Sequence, residues 1–363
     1  MIPYFTQSMA KTRLLLPVCF LICLLAGSSH AVAQGLFTQR QILNQYTTVG
    51  LGFGSSHYSG DLTTNMLKKP HFLLYKNARW NVHGHYTRYI TPNSALRLQL
   101  AWIRLLGNDN NYSTDSKGNV VPGMEAPYLR NLHFRNDVKE MTISGIFNLF
   151  PNYAKSSARD RLKFTPYFTI GAGLISHQPK AKRPIALPDQ KLKYTVNLRD
   201  LGTAGQQLPN SSEKIYSLVV PVIPVGLGFR WKVNNKIDFT MEANLRYTFS
   251  DYIDDVGYGA YPDQNVLTSY NPESGIFSYR AGEAFNSVTR QNRNQNIQSI
   301  YSTQTGKVPG PSTTIEDMLN EIGYIPTAPN ILRGGSQRND LYGTIQFTIS
   351  YILSEKIKCP VPR

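Results

Sequence analysis

Three carboxylates fall within five residues between Asp251 and Asp255, in the stretch RYTFSDYIDDV. Clustered carboxylate oxygens suit a hard cation such as calcium, so Asp251, Asp254 and Asp255 are candidate metal ligands. The D-x-D-x-D-G pattern that would complete a calcium loop is missing. The competing reading is loop closure, with acids at a turn accepting backbone N–H groups and pairing with arginine. His57, Ser59 and Asp61 form a second constellation, containing a base, a hydroxyl and an acid as a rim-active enzyme would need. His83 and His85 share one strand face and could hold a metal, although inward histidines with ordinary hydrogen bonds are commoner. No Walker loop, dinucleotide fingerprint or zinc signature occurs, and no cofactor is expected.

The elements that would position these residues are strands. Eight runs alternate apolar and polar: Tyr46–Ser55, Trp80–Thr91, Ala95–Leu106, Val138–Phe150, Lys163–Ser176, Tyr216–Trp231, Lys236–Phe249 and Leu341–Leu353. Most exceed the ~9–11 residues that a tilted strand needs to cross a bilayer. In the seventh run Phe239, Met241, Ala243, Leu245 and Tyr247 share one face, while Asp238, Thr240, Glu242, Asn244 and Arg246 share the other. A soluble sandwich also alternates, so the connections must discriminate. Short ones (Pro92–Ser94, Pro151–Leu162, Lys232–Asn235) alternate strictly with long ones (Ser56–Arg79, Gly107–Asp137, His177–Ile215, Ser250–Asp340). That is the layout of an all-β, closed antiparallel transmembrane barrel with short periplasmic turns and long extracellular loops. At about eight strands the interior is filled by side chains rather than open. Gly50, Gly52, Gly54, Gly171, Gly173, Gly226 and Gly228 leave room there, and His83, His85, Arg97, Glu242 and Arg246 are expected as a paired lumen network, since charges do not face hydrocarbon.

Outside residues 46–353, the start of the chain has the layout of a secretory signal peptide over 1–33. Lys11 and Arg13 precede an apolar run, Leu14–Leu25, and an Ala31-Val32-Ala33 end. Residues 34–45 and 354–363 are expected as periplasmic segments. Cys359 is then alone in the exported chain, which excludes an internal disulfide. The net charge of +15 drops to +13 without Lys11 and Arg13, and an exported chain of this balance points to lipid phosphates and acidic surfaces rather than nucleic acid. Within the connection over about 250–340, the Asn-, Gln- and Ser-rich middle is expected to be largely mobile. A short helix is expected around Thr314–Ile322.

Several segments resemble a Bacteroidota outer-membrane barrel family related to PorG of the type IX secretion and gliding machinery. They are VGLGFGSSHYSGDL, LRNLHFRNDVKEM, FTPYFTIGAGL, LGTAGQ, RYTFSDYIDDV with YGAYPD, and RGGSQRNDLYG with a later Cys359-Pro360. The resemblance implies a rim motif built from Asp61, Arg130, Arg135, Asp251, Tyr252, Asp254 and Asp255. It also implies a non-enzymatic assembly role, with outer-membrane lipid and periplasmic ring components as partners. Periplasmic contact is then expected through Lys155, Arg159, Arg161, Lys356 and Lys358. The alternatives are an adhesion or ligand-binding barrel acting through its outer loops and, less favoured, an enzyme built on His57.

Overall fold

The computed structural model describes residues 46–63, 77–150, 161–209, 211, 214–328, 331–335 and 339–353. Strand β1 spans Thr47–Ser59, β2 Arg79–Tyr89, β3 Ser94–Asn108, β4 His133–Asn148, β5 Phe164–Ser176, β6 Pro179–Ala181 and β7 Val196–Asn197. The chain continues with β8 Val219–Lys232, β9 Ile237–Thr248, β10 Gly259–Ala260, β11 Leu332–Gly334 and β12 Leu341–Leu353. The eight long strands close into a ring of antiparallel neighbours in the order β3-β2-β1-β12-β9-β8-β5-β4, with β4 returning to β3. The first and last long strands form the seam, in register from Thr47↔Leu353 to Ser59↔Leu341. The short β6 and β7 extend the sheet beyond β4 at the loop end.

The two faces of each strand meet different media. Leu51 is 77% exposed and Ile349 63%, and Phe53, Leu100, Ile143 and Leu227 stand out beside them. Their inward neighbours Thr48, Gln99, Thr142 and Thr348 are buried. A continuous apolar wall of this size is unfavourable in water and matches the hydrocarbon of a bilayer. Aromatic rings mark both edges of the wall. Trp80 and Trp102 meet edge-on at 5.2 Å near the loop end, while Phe164 stacks on Phe229 at 5.5 Å near the turns.

Inside, small residues face large ones. A Cβ at Gly52 would lie 2.6 Å from the His83 ring, and one at Gly228 would lie 2.4 Å from the Tyr167 ring. Glycine at these places lets bulky polar side chains fill the lumen.

Three strand boundaries depart from expectation by three residues or more. β1 runs on to Ser59 rather than Ser55, which carries His57 and Ser59 in the strand instead of the following connection. β4 begins at His133 rather than Val138, pairing Asn108↔His133. Beyond the membrane its outward positions become charged (Arg135, Asp137) while Phe134 turns inward beside the polar Asn136, so the membrane-type alternation is lost. β8 begins at Val219 rather than Tyr216, whose ring leaves the wall for the barrel mouth.

The long connections carry helices α1 Asp109–Ser113, α2 Glu125–Arg130, α3 Leu198–Leu201, α4 Gln264–Tyr270, α5 Pro272–Ser278, α6 Asn294–Thr305 and α7 Ile315–Glu321. Helix α7 starts with a capping box between Thr314 and Asp317. The expectation of a mobile last connection is corrected: its described residues fold. Ile297, Ile300 and Tyr301 of α6 pack with Met318, Leu319 and Tyr324 into a small core outside the barrel. Arg293 beneath α6 is fully buried and donates to the carbonyls of Tyr128, Leu129, Ala281 and Glu283. Polar composition misled here because Arg293 is satisfied by backbone carbonyls, which leave no mark in a sequence.

Candidate functional site

The lumen is built largely on β9, whose inward positions alternate with its lipid-facing ones. Asp238, Glu242 and Arg246 recur every fourth residue along it, each buried and each paired with a side chain from elsewhere. Near the turns, Arg161 holds Asp238 at 2.7 Å and also donates to the carbonyls of Asn234 and Asn235. In the middle, Arg97 of β3 meets Glu242 at 2.7 Å, and Tyr167 and Asn244 donate to the same carboxylate. Toward the loops, Arg246 meets Glu140 of β4 at 2.8 Å, with Tyr342 donating to Glu140 and Thr344 accepting from Arg246. His83 lies 2.8 Å from the Thr348 hydroxyl and His85 3.3 Å from that of Ser350. The two histidines serve hydroxyls on β12 rather than one common ligand. A cavity lined by His85, Tyr89, Arg97, Tyr167, Arg230 and Asp238 has a volume of ≈ 10 Å³, room for roughly one water. The lumen is a braced plug.

Above the plug, an apolar stopper that includes Ile103, Leu105, Phe134, Ile253, Val256 and Phe277 fills the mouth. Two arginines tie the loops over it. Arg130 reaches Asp109 at 2.7 Å and donates to the carbonyls of Asp61 and Arg333. Arg333 donates to Asp255, through its carbonyl at 2.7 Å and its carboxylate at 3.2 Å, and to Thr203. Asp255 also accepts from Thr203 and from Tyr216 at 2.7 Å, and the Tyr216 ring stacks on Tyr252 at 4.8 Å. All four outer connections therefore meet in one network.

Of the rim acids, Asp254 and Asp255 are fully buried, because the stopper and the last connection close over them. Asp254 accepts the Val256 N–H, and Asp251 accepts that of Tyr258. Asp340 accepts from Tyr58 at 2.6 Å and from the Ile253 N–H. Burial raises the Asp254 carboxyl well above its ordinary range, and the neighbouring Asp61 adds to this. Asp340 is raised in the same way, by burial and then by Asp254. Asp251 is pushed up to about 7, chiefly by burial, with the Tyr258 N–H opposing. Among the described residues no three His, Cys, Asp or Glu side chains are placed to hold a metal ion. The calcium reading of Asp251, Asp254 and Asp255 is therefore corrected.

The remaining sequence candidates separate. His57 turns to Ser55, 3.2 Å away. Arg135 stands apart from the knot on the outer wall, over the Tyr194 ring. Arg161, expected as a periplasmic contact, is instead a buried partner of Asp238, because its guanidinium turns inward onto that carboxylate and the carbonyls of Asn234 and Asn235. Lys155, Arg159, Lys356, Lys358 and Cys359, together with 1–33 and 34–45, lie outside the described residues. Asp109, Glu140, Asp238, Tyr216, Arg333 and Asp340 were not singled out from sequence as site residues. For Glu140 and Asp238 the signal was there: an acid at an inward position of a membrane strand requires a cation across the lumen.

No family model and no curated protein matches the chain. Among solved structures it is similar to Ail, the attachment invasion locus protein of Yersinia pestis, seen with the heparin analogue sucrose octasulfate, at 6% identity and a TM-score of 0.31, covering 85% of this chain and 99% of that one. It is similar to Neisserial surface protein A at 8% identity and 0.32, covering 85% and 96%. It is also similar to OprG of Pseudomonas aeruginosa at 9% identity and 0.27, covering 86% and 95%. A likeness this distant says nothing of ligand or partner.

Proposed function

We propose that this barrel is a non-enzymatic outer-membrane component of the type IX protein secretion and gliding machinery, acting as a structural or assembly element. One observation carries the reading. The segments that resemble that barrel family lie far apart in the chain, yet Asp61, Arg130, Thr203, Asp255 and Arg333 from five of them meet in a single buried network. A filled lumen under a tied cap supports a scaffold rather than a pore.

Docking to periplasmic ring components then falls to the turn end and the tail. Without Arg161, the cations left for it are Lys155, Arg159, Lys356 and Lys358. The test replaces these four by Gln in the native host. Loss of co-purifying periplasmic partners and of secreted cargo, at unchanged barrel level in the membrane, is the expected result. Normal secretion with partners retained would end the proposal. Deleting 264–328 serves as the contrasting arm: a defect confined to surface attachment would point to the adhesion alternative.

A further inference from the structure

The outer wall at β3 and β4 is stratified along the membrane normal. Leu98, Leu100, Met141 and Ile143 face outward at the level of the hydrocarbon. Next toward the loops come Trp102 and, edge-on to it, Trp80, the residue type that settles at the membrane–water interface. Above the indoles the outward positions become cationic. Lys139 lies directly across from Trp102, and the Arg104 guanidinium covers the Trp80 ring at 4.8 Å. Arg135 follows on β4, and β6 brings Lys180 directly across from it. Tyr194 is flanked by two cations, with Arg135 and Lys182 at 5.0 and 5.2 Å from its ring centroid.

Among these five cations the carboxylate of Asp137 pairs with Arg104 at 2.5 Å and lies 3.5 Å from Arg135. Lys139 is exposed and the other four are half-buried, so a ligand arriving from the bilayer side can reach the group. Burial lowers the Lys182 ammonium, and the nearby Arg290 and Arg135 add to this. Such a concentration of like charge is costly alone and is relieved by an anion that several cations share.

We propose that this layer is a binding surface for the phosphate groups of an outer-leaflet lipid, whose chains lie on the aliphatic wall below the indoles. The inference rests on the outer-membrane placement used above but is independent of any role in secretion. Height and chemistry agree: a lipid with acyl chains along Leu98 and Ile143 carries its phosphates just above the Trp80–Trp102 pair. Arginine contributes forked donors and lysine adds point charge.

The test titrates the purified full chain, in neutral detergent, with diphosphorylated lipid A and with its phosphate-free form, reading bound lipid by native mass spectrometry. The phosphate-free form should bind about a hundredfold more weakly, as should the diphosphorylated form to Arg135→Gln/Lys180→Gln/Lys182→Gln, on the scale of about three surface cations. A charge-matched control, Lys117→Gln/Lys214→Gln/Lys236→Gln, should bind as wild type. Equal binding of the two lipids to the wild-type chain, which needs no variant to fold, would overturn the proposal. So would equal weakening by the control, which would leave only net charge. Displacement by inorganic phosphate would overturn it in favour of a soluble-anion site. A chain that failed to enter detergent or bilayer as a folded barrel would remove the membrane placement itself, and the proposed function with it.

Discussion

At the scale of single residues, the central question is what a buried charge costs when its partner goes. Arg246 and Glu140 are both sealed from solvent, and Glu140 keeps only the Tyr342 hydroxyl once the guanidinium is removed. Arg246→Met should therefore lower stability by about 3–5 kcal/mol, while Arg246→Met/Glu140→Gln should recover most of the loss. Urea unfolding in detergent micelles, followed by tryptophan fluorescence, separates the two outcomes. The rim acids make a different prediction. Asp251 is raised to about 7, and Asp254 and Asp340 are raised as well, so the folded cap binds more protons than the opened one between the ordinary carboxylate range and near neutrality. By linkage, cap stability falls as pH climbs through that window and is greatest on its acid side. Protection factors for hydrogen exchange in residues 250–263, corrected for the intrinsic pH dependence of exchange, should be higher at pH 5 than at pH 8, and Asp251→Asn should flatten part of the difference.

At the scale of elements, close approach of strands decides what each position tolerates. A Cβ at Gly52 would sit 2.3 Å from the Phe347 carbonyl oxygen, which is backbone and cannot swing aside. Gly52→Ala should cost about 1–3 kcal/mol. At Gly84 the nearest obstacle is the end of the Leu51 side chain at 3.2 Å, so Gly84→Ala should stay within about 0.5 kcal/mol. Heat-modifiable mobility on gels, scored across a temperature ramp, distinguishes the pair. Loops depend on their arginines in a comparable way. Arg130→Ala strands the buried Asp109 and cuts ties to the first and last connections, weakening the cap by about 3–5 kcal/mol. Limited proteolysis should then cleave within 250–340 while the barrel keeps its compact mobility. Much of the wall was legible beforehand, since lipid on one side and a crowded interior on the other impose a two-residue period, as Phe239 to Tyr247 show. Less was legible where neither medium applies. Arg161 looked like a turn residue because nothing local reveals that its side chain turns inward, and the segment around Arg293 looked mobile because the acceptors of that arginine are carbonyls.

For the molecule as a whole, the plug and the cap obstruct the same axis in series. Planar-bilayer recordings of the reconstituted chain should show no steady conductance, and deletion of 264–328 should not create one, because the lumen layers at Asp238, Glu242 and Arg246 remain. Discrete open-channel steps from the deletion variant would contradict the plugged lumen. The lumen network was readable in outline, since His83, His85, Arg97, Glu242 and Arg246 all turn inward. Its pairing was not, because which strands oppose one another depends on closure rather than on neighbours in sequence. That dependence has a bearing on biogenesis. Arg97 and Glu140 belong to β3 and β4, and both find their counter-charges on β9, several strands away around the wall. A half-wound sheet would offer these groups to hydrocarbon unmatched, so closing the β1–β12 seam also completes neutralisation. Insertion would thus proofread itself, with incomplete cylinders expelled by their own electrostatics.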